Sequence, residues 1–240
     1  MIIRELTLPT DIHAASILES KGWGMVPSAI TPHHVMIAAT KAGGLILGAY
    51  EDDRLVGFSF SMVGLDAGRV HHFMHVLGVD PEYRGQGIGF ELMRSHGRIS
   101  TDRGVDRIRW TFDPLQSRNA HLYLAKLGAI IEPTYIGSMY GDLADRVNRG
   151  IRSDRVYASV PSQQLIDRQA PDARPEALET FGQHQPISTY VMDGAGGPPD
   201  LAVRPVAVEI PMDFQDLILA DTAAASAMRI RSGELFMRGF

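Results

Sequence analysis

The chain has 240 residues, 45% of them apolar, enough to bury one large core or a core and a half without covalent staples. Lys and Arg number 23 against 28 Asp and Glu, a formal charge of −5, which argues against a protein that grips nucleic acid by neutralising phosphates. Cysteine is absent, and with it disulfide frameworks, thiolate nucleophiles and Cys-ligated metal centres.

Met1–Leu6 lacks the basic and apolar regions of a signal peptide, and no apolar run approaches bilayer length, so a cytoplasmic protein with no membrane partner is expected. Ile2 to Thr7 reads as a strand, and Thr10-Asp11 offers the N-cap of a helix running to about Gly22. A second helix follows Thr31-Pro32 and stops at Gly43-Gly44. Leu45–Tyr50 and Leu55–Val63, joined by Glu51-Asp52-Asp53-Arg54, form a hairpin pattern. His71–Val79 is a third β-rich run, and Ile88, Leu92, Met93, His96 and Ile99 then recur at helical spacing. Arg107–Phe112 reads as a strand, followed by a helix from a capping-box-like Asp113-Pro114-Leu115-Gln116 to Gly128. Strands are expected at Tyr135–Tyr140 and Val156–Val160. Pro171, Pro175, Pro186 and Gly194–Pro199 mark an irregular connection with one short strand near Ile187–Met192. Ala202–Ile210 resembles a strand. Asp213 caps a last helix with Phe214, Leu217, Ile218, Ala225 and Met228 on one face and Met212 stapled on Leu217, and Glu234–Phe240 reads as a strand-like tail.

The glycines between the third β-rich run and its helix allow backbone N–H groups to converge on an anion at a helix N-terminus. A dinucleotide fingerprint fails, because its third glycine falls on Phe90 or Leu92, and no Gly-Lys-Ser/Thr tripeptide exists for a Walker loop. The letters fit Arg-x-x-Gly-x-Gly, with Arg84, Gly87 and Gly89 after a strand ending in Val79-Asp80-Pro81.

This stretch resembles the acyl-CoA signature of the GNAT superfamily of N-acyltransferases, and the order of elements over roughly residues 1 to 160 agrees with that family. The resemblance implies an α/β fold with a mixed, mostly antiparallel central sheet flanked by helices and splayed at the acyl-CoA site. It implies that Gly85 and the N–H groups of Gln86, Gly87, Ile88, Gly89 and Phe90 hold the CoA pyrophosphate, with Arg84 shaping the loop or neutralising charge. Leu77, Gly78 and Val79 would lie beside the pantetheine, and Asn119 would belong to the same cofactor site. The cofactor would be acetyl-CoA or another acyl-CoA, without a metal, and the reaction direct attack of an amine on the thioester.

That reaction needs a base and is helped by an acid. Strand alternation puts His71 and His75 on one face and His72 on the other. His75, two residues before Leu77, stands where arylalkylamine N-acetyltransferases of the superfamily carry a catalytic His. The family's helix pattern N-x-x-A-x-x-L-Y-x-x-x-G-F supplies a Tyr that protonates the CoA sulfur. Aligned on Ala120 and Gly128, that place holds Leu124, and Tyr123 comes one residue early, a rotation of about 100° on a helix. Ser117 takes the place of the Asn, and Ala129 that of the terminal Phe. Tyr123 is the candidate acid, packing in the core or groove is its structural alternative, and a non-catalytic acyl-CoA-binding sensor or structural module is the competing function.

Trp110–Ala120, Tyr140-Gly141 and Asn148–Arg155 resemble a bacterial GNAT subfamily with relatives associated with N-succinylation of amino acids, which adds succinyl-CoA as a donor. Arg109, Arg118, Arg152 and Arg155 would supply the forked guanidinium contacts that a carboxylate requires, or serve as surface or salt-bridge residues. The partner implied is a small-molecule amine, an amino acid among the candidates. The division expected is a core over 1–160 and a C-terminal α/β extension over 161–240, which would cover the acceptor side, extend the sheet or make a homodimer contact. Glu209, Asp213 and Asp216 would attract an amine, though helix capping accounts for the two aspartates.

Overall fold

Hydrophobic alternation organises the first hundred residues. The computed structural model describes residues 1–23, 30–141, 150–168, 189–192 and 206–239. Seven strands form one sheet in the order β1-β2-β3-β4-β5-β7-β6 and two more form a separate ribbon. The described residues fall into two compact units, 1–23, 30–111 and 159–168 in one and 112–141, 150–158, 189–192 and 206–239 in the other, a division that differs from the sequence-based cut at 160.

In the first unit β1 (Ile2–Glu5), β2 (Leu45–Glu51), β3 (Arg54–Asp66) and β4 (Arg69–Val79) pair antiparallel in chain order. The helix α1 (Pro9–Trp23) starts at Pro9 rather than after Thr10, because proline at the first helical position needs no N–H partner. With α2 (His33–Lys41) it covers one face of the sheet, burying Leu6, Ile12, Met36, Ile46, Phe58, Phe60 and Val76. The opposite face, formed by Leu45, Leu47, Ala49 and Val56, packs under Ile88 and Leu92 of α3 (Ile88–Asp102). The sequence reading stopped β3 at Val63 and began β4 at His71, but both continue to a tight turn at Ala67 and Gly68, whose φ values are 47° and 78°. A left-handed pair of this kind matches the twist of a two-residue hairpin.

β5 (Arg107–Phe112) pairs parallel to β4, and α5 (Ser162–Asp167) packs on α3, where Leu165 fills the space beside Gly97. In the second unit the expected capping box does not form. Asp113 caps Leu115 N at 2.9 Å and turns its carboxylate to Arg229, so the helix begins four residues later as α4 (Ser117–Ala120) and continues as a π-helical turn over His121–Lys126. β6 is Ile130–Ile136 rather than 135–140, because Ser138 takes φ 51° and a turn leads to Tyr140. β7 is Arg155–Pro161, as the sequence indicates. The short ribbon is β8 (Thr189–Met192) against β9 (Val206–Glu209). The expected irregular connection at 169–188 and 193–200, the start of the 202–210 strand and the Asn148-Arg149 pair lie outside the described residues.

Two helices replace the expected last one. α6 (Phe214–Ala220) is capped by the Asp213 carboxylate, which accepts from Gln215 N at 2.9 Å and Asp216 N at 3.2 Å. α7 (Thr222–Gly239) absorbs the strand-like tail because Ala225, Arg229, Ser232 and Phe236 recur at helical spacing on a buried face. Met212 is exposed and does not act as a staple; its carbonyl instead accepts from the Ser117 hydroxyl.

Candidate active site

Two neighbouring strands build the site in the first unit. Only three rungs join β4 to β5, His72 with Ile108, Phe73 with Arg109 and Met74 with Trp110. Beyond them, Val76 to Val79 remain paired to β3 on one edge, while on the β5 edge no strand among the described residues pairs with His75 to Val79. An open edge presents main-chain donors and acceptors to any extended ligand laid along it. Leu77, Gly78 and Val79 supply this edge, and the side chains of Leu77 and Val79 turn toward α3.

His75 sits at the discontinuity. Phe60 pairs with Val76 and Ser61 with Met74, so His75 is the extra residue of a β-bulge. The bulge explains a change of phase that strict alternation misses: His72 faces α3 before it, whereas Leu77 and Val79 face α3 after it. His75 meets the Phe60 ring edge-on at 6.1 Å, on the α1 and α2 side, and its side chain is exposed. The protein around the ring lowers its pKa from the ordinary imidazole value, leaving it neutral at pH 7.

The other two histidines of the strand differ in role from His75. His71 is buried against Gly64, where any Cβ would meet the ring at 2.3 Å. His72 donates from Nε2 to Gly43 O at 3.2 Å and so accepts at Nδ1 from Ser100 Oγ at 2.8 Å. It abuts His96, whose ring nitrogens face Ser59 Oγ at 3.4 Å and Ser61 Oγ at 3.0 Å. Burial pushes the pKa of both down, His96 strongly.

The loop after β4 is shaped for an anion. Asp80, 2% exposed, receives Lys21 at 2.9 Å, Arg54 at 3.1 Å and Glu82 N at 3.2 Å, fixing the strand end to α1 and to the start of β3. Arg84 is a strut: its Nε donates to Val79 O at 3.2 Å and its Nη2 to Gly22 O at 2.9 Å. Of the two roles expected for Arg84, these bonds support loop shaping. Gly85 and Gly87 both take φ 81° with nothing within 4 Å of an added Cβ, so the space above them is open. The first bond of the α3 ladder is Glu91 N to Gly87 O at 3.1 Å, leaving the N–H groups of Ile88, Gly89 and Phe90 outside the ladder. Gln86 is exposed on this loop, while the Ile88 and Phe90 side chains anchor it in the core. A pyrophosphate fits this arrangement of N–H groups and helix dipole.

The remaining candidates belong to the second unit. Tyr123 is 8% exposed, packs edge-on to Phe112 at 5.2 Å, and burial raises its pKa well above an ordinary phenol. The expected 100° displacement assumed an unbroken α-helix, which the structure lacks. Leu127 N bonds to Leu122 O and Ala129 N to Tyr123 O, both at 2.9 Å, so the turn before Gly128 holds one extra residue. Tyr123, five residues before Gly128, thereby takes the angular position that the fourth residue has in an α-helix. Asn119 is exposed on α4. Of the four candidate arginines, Arg118 pairs with Asp213 at 3.3 Å, and Arg152 and Arg155 bond to the Asp154 carboxylate and carbonyl. Arg109, in the first unit, pairs with Asp66 at 3.1 Å. Among the described residues no group of three or more His, Asp or Glu is placed to hold a metal ion, and no helix is long and apolar enough to cross a membrane.

Residues 16–129 match the model of the acetyltransferase (GNAT) family. The chain is 31% identical over 94 residues to a mycothiol acetyltransferase of Propionibacterium freudenreichii subsp. shermanii, covering 39% of this chain and 30% of that protein, less than a third of the relative's length. In fold it is similar to the ribosomal-protein-S18-alanine N-acetyltransferase from Escherichia coli, at 19% identity and a TM-score of 0.52 over 72% of this chain and 97% of the other. A similar likeness, at 16% identity and a TM-score of 0.51, covers 68% of this chain and 97% of an aminoglycoside 6'-N-acetyltransferase complexed with coenzyme A.

Proposed function

Because residues 16–129 match the acetyltransferase (GNAT) family, we propose that the chain transfers an acyl group from acyl-CoA to the amine of a small molecule by direct attack in a ternary complex. Acetyl-CoA is the first donor of choice, and succinyl-CoA the second. The observation that carries the reading is the open edge of β4 from His75 to Val79, leading straight into a glycine loop and the unladdered N–H groups of α3.

The pyrophosphate would rest on the N–H groups of Gln86 to Phe90, with Arg84 holding the loop in shape and the pantetheine running along Leu77, Gly78 and Val79. A thioester supplies an activated carbonyl and a thiol leaving group. His75, neutral at pH 7, would take the proton of the attacking amine, directly or through water, as the C–N bond forms and the C–S bond breaks. Tyr123 would donate a hydrogen bond to the departing sulfur. Its raised pKa keeps the phenol protonated, and the departing thiolate, whose conjugate thiol has a pKa of about 8.5, is too weak a base to take that proton completely. The bond to sulfur, rather than complete transfer, is what Tyr123 would contribute.

The test is release of CoA thiol from acetyl- and succinyl-CoA that depends on an added amine. His75→Ala should retain acyl-CoA binding and lose turnover. Tight CoA binding with no turnover over a broad amine panel would replace the transferase reading with that of an acyl-CoA-binding module.

A further inference from the structure

The three rungs between β4 and β5 leave the pair open at both ends. Beyond Met74 and Trp110 lies the edge assigned to the cofactor. Before His72 and Ile108 the strands part around a cavity of about 350 Å³, within the size range of small-molecule sites. Asp66, Arg69, His71, Asp106, Arg107 and Arg109 line it, all from the first unit. Three guanidinium groups thus meet two carboxylates. Arg109 is largely buried and engages Asp66 at 3.1 Å. Arg69 and Arg107 make no hydrogen bond or ion pair with any described residue, although both line the cavity.

Geometry relates this cavity to His75. Arg107 and Arg109 flank the buried Ile108 and so share one face of β5, and Arg109 is in register with Phe73. That face is the one carrying His71, Phe73 and His75 on β4. From Phe73 to His75 is two residues, about 7 Å along a strand. Arg107, two residues before Arg109 and so level with His71, lies about 13 Å from His75 along the strand and Arg69 about 20 Å, so an anion held in the cavity stands a long chain's length from an amine held at His75.

We propose that the acceptor is an elongated amine whose far end carries an anionic group, a carboxylate or a phosphate, received in this cavity by Arg69 and Arg107, with Arg109 oriented by Asp66 as a positioning residue. Forked guanidinium donors match both anions, and Asp66 holds Arg109 in place beside the two other arginines. The proposal rests on the transferase reading and names the class of its acceptor.

The test uses the full chain with acetyl-CoA and three matched primary amines: a long-chain ω-amino acid, its carboxamide and the aminoalkyl phosphate of the same chain length. The expected result is a kcat/KM for an anionic amine at least tenfold above that for the carboxamide. Arg107→Ala and Arg69→Ala should each reduce that ratio by about tenfold through KM, with Arg107→Lys restoring part of it. Equal use of acid and carboxamide, or equal loss on both in the variants, overturns the proposal while leaving the transferase reading intact. Equilibrium titration of the same three amines onto the CoA-loaded protein reads the cavity without turnover. Arginine-dependent binding of the anionic amines without any thiol release sustains the anion site and sinks the transferase reading. No binding and no release overturns both.

Discussion

At the scale of single residues, the proposed chemistry turns on His75. The surroundings of its ring lower the pKa, so the base form persists to lower pH than for a free imidazole near 6.5. The sign follows directly: kcat should rise as pH increases through the lowered pKa, with the midpoint of that limb below about pH 6.5. His75→Gln should remove that acidic limb and reduce kcat by about 10²-fold; a pH profile and steady-state kinetics check both. Tyr123 gives the opposite case. Its raised pKa means that no alkaline limb from this group should appear up to about pH 10, and Tyr123→Phe should lower kcat while leaving the KM for acetyl-CoA in place. The letters alone single out both residues, but the bulge that frees His75 from the alternation of β4 and the π turn that rephases Tyr123 are backbone events. Neither leaves a composition signal, because each inserts one ordinary residue into an otherwise regular element.

Among the elements, the loop from Asp80 to Gly89 was the most legible, since glycines after a strand and before a helix have one dominant physical use. Gly87 at φ 81° precedes α3 in a conformation that costs an L-residue about 1–2 kcal/mol. Gly87→Ala should therefore destabilise the protein by about that amount and weaken CoA binding more than it alters kcat, a pattern that chemical denaturation and CoA titration would measure. The clamp of Lys21 and Arg54 on Asp80 was not legible, because it joins residues 59 and 26 positions apart. The capping-box expectation at Asp113 failed for a related reason. The local pattern suits a helix start, but the carboxylate is claimed by Arg229, 116 residues away, and only caps Leu115.

At the scale of the molecule, each unit holds a buried polar arrangement on which its stability depends. In the first, His72 and His96 are buried and neutral among Ser59, Ser61 and Ser100. Their folded pKa values lie below the unfolded value of about 6.5, so the unfolded chain binds protons first and stability should fall as pH drops from about 6.5 toward the folded pKa values. Urea midpoints at pH 7.5 and pH 5 would read this loss. In the second, Arg229 grips Asp113 through two bonds of 2.5 Å, with side chains 2% and 8% exposed, and lies over the Phe214 ring at 4.8 Å. Alongside it, Tyr135 donates to Asp154 and stacks on Phe236. Removing one partner leaves a buried charge, so Arg229→Met should cost about 3–5 kcal/mol, whereas Arg229→Met with Asp113→Leu should recover most of it. Thermal melts of the two variants decide whether the pair stabilises or only specifies the α7 contact.

The sequence by itself determined the resemblance to the acetyltransferase (GNAT) family, the order of strands and helices to Phe112, the glycine loop and the histidine before it. These follow from short-range facts: alternation of apolar residues, glycine's access to positive φ, and the N–H groups at the start of a helix. Tertiary structure decided what depends on partners distant in the chain. It opened the edge of β4 by ending its pairing with β5 at Met74, set His75 on a bulge opposite Phe60, and placed Arg69, Arg107 and Arg109 around one cavity. It also made a helix of the tail that looked like a strand, since burying Arg229, Ser232 and Phe236 together is a property of the packed unit rather than of the segment.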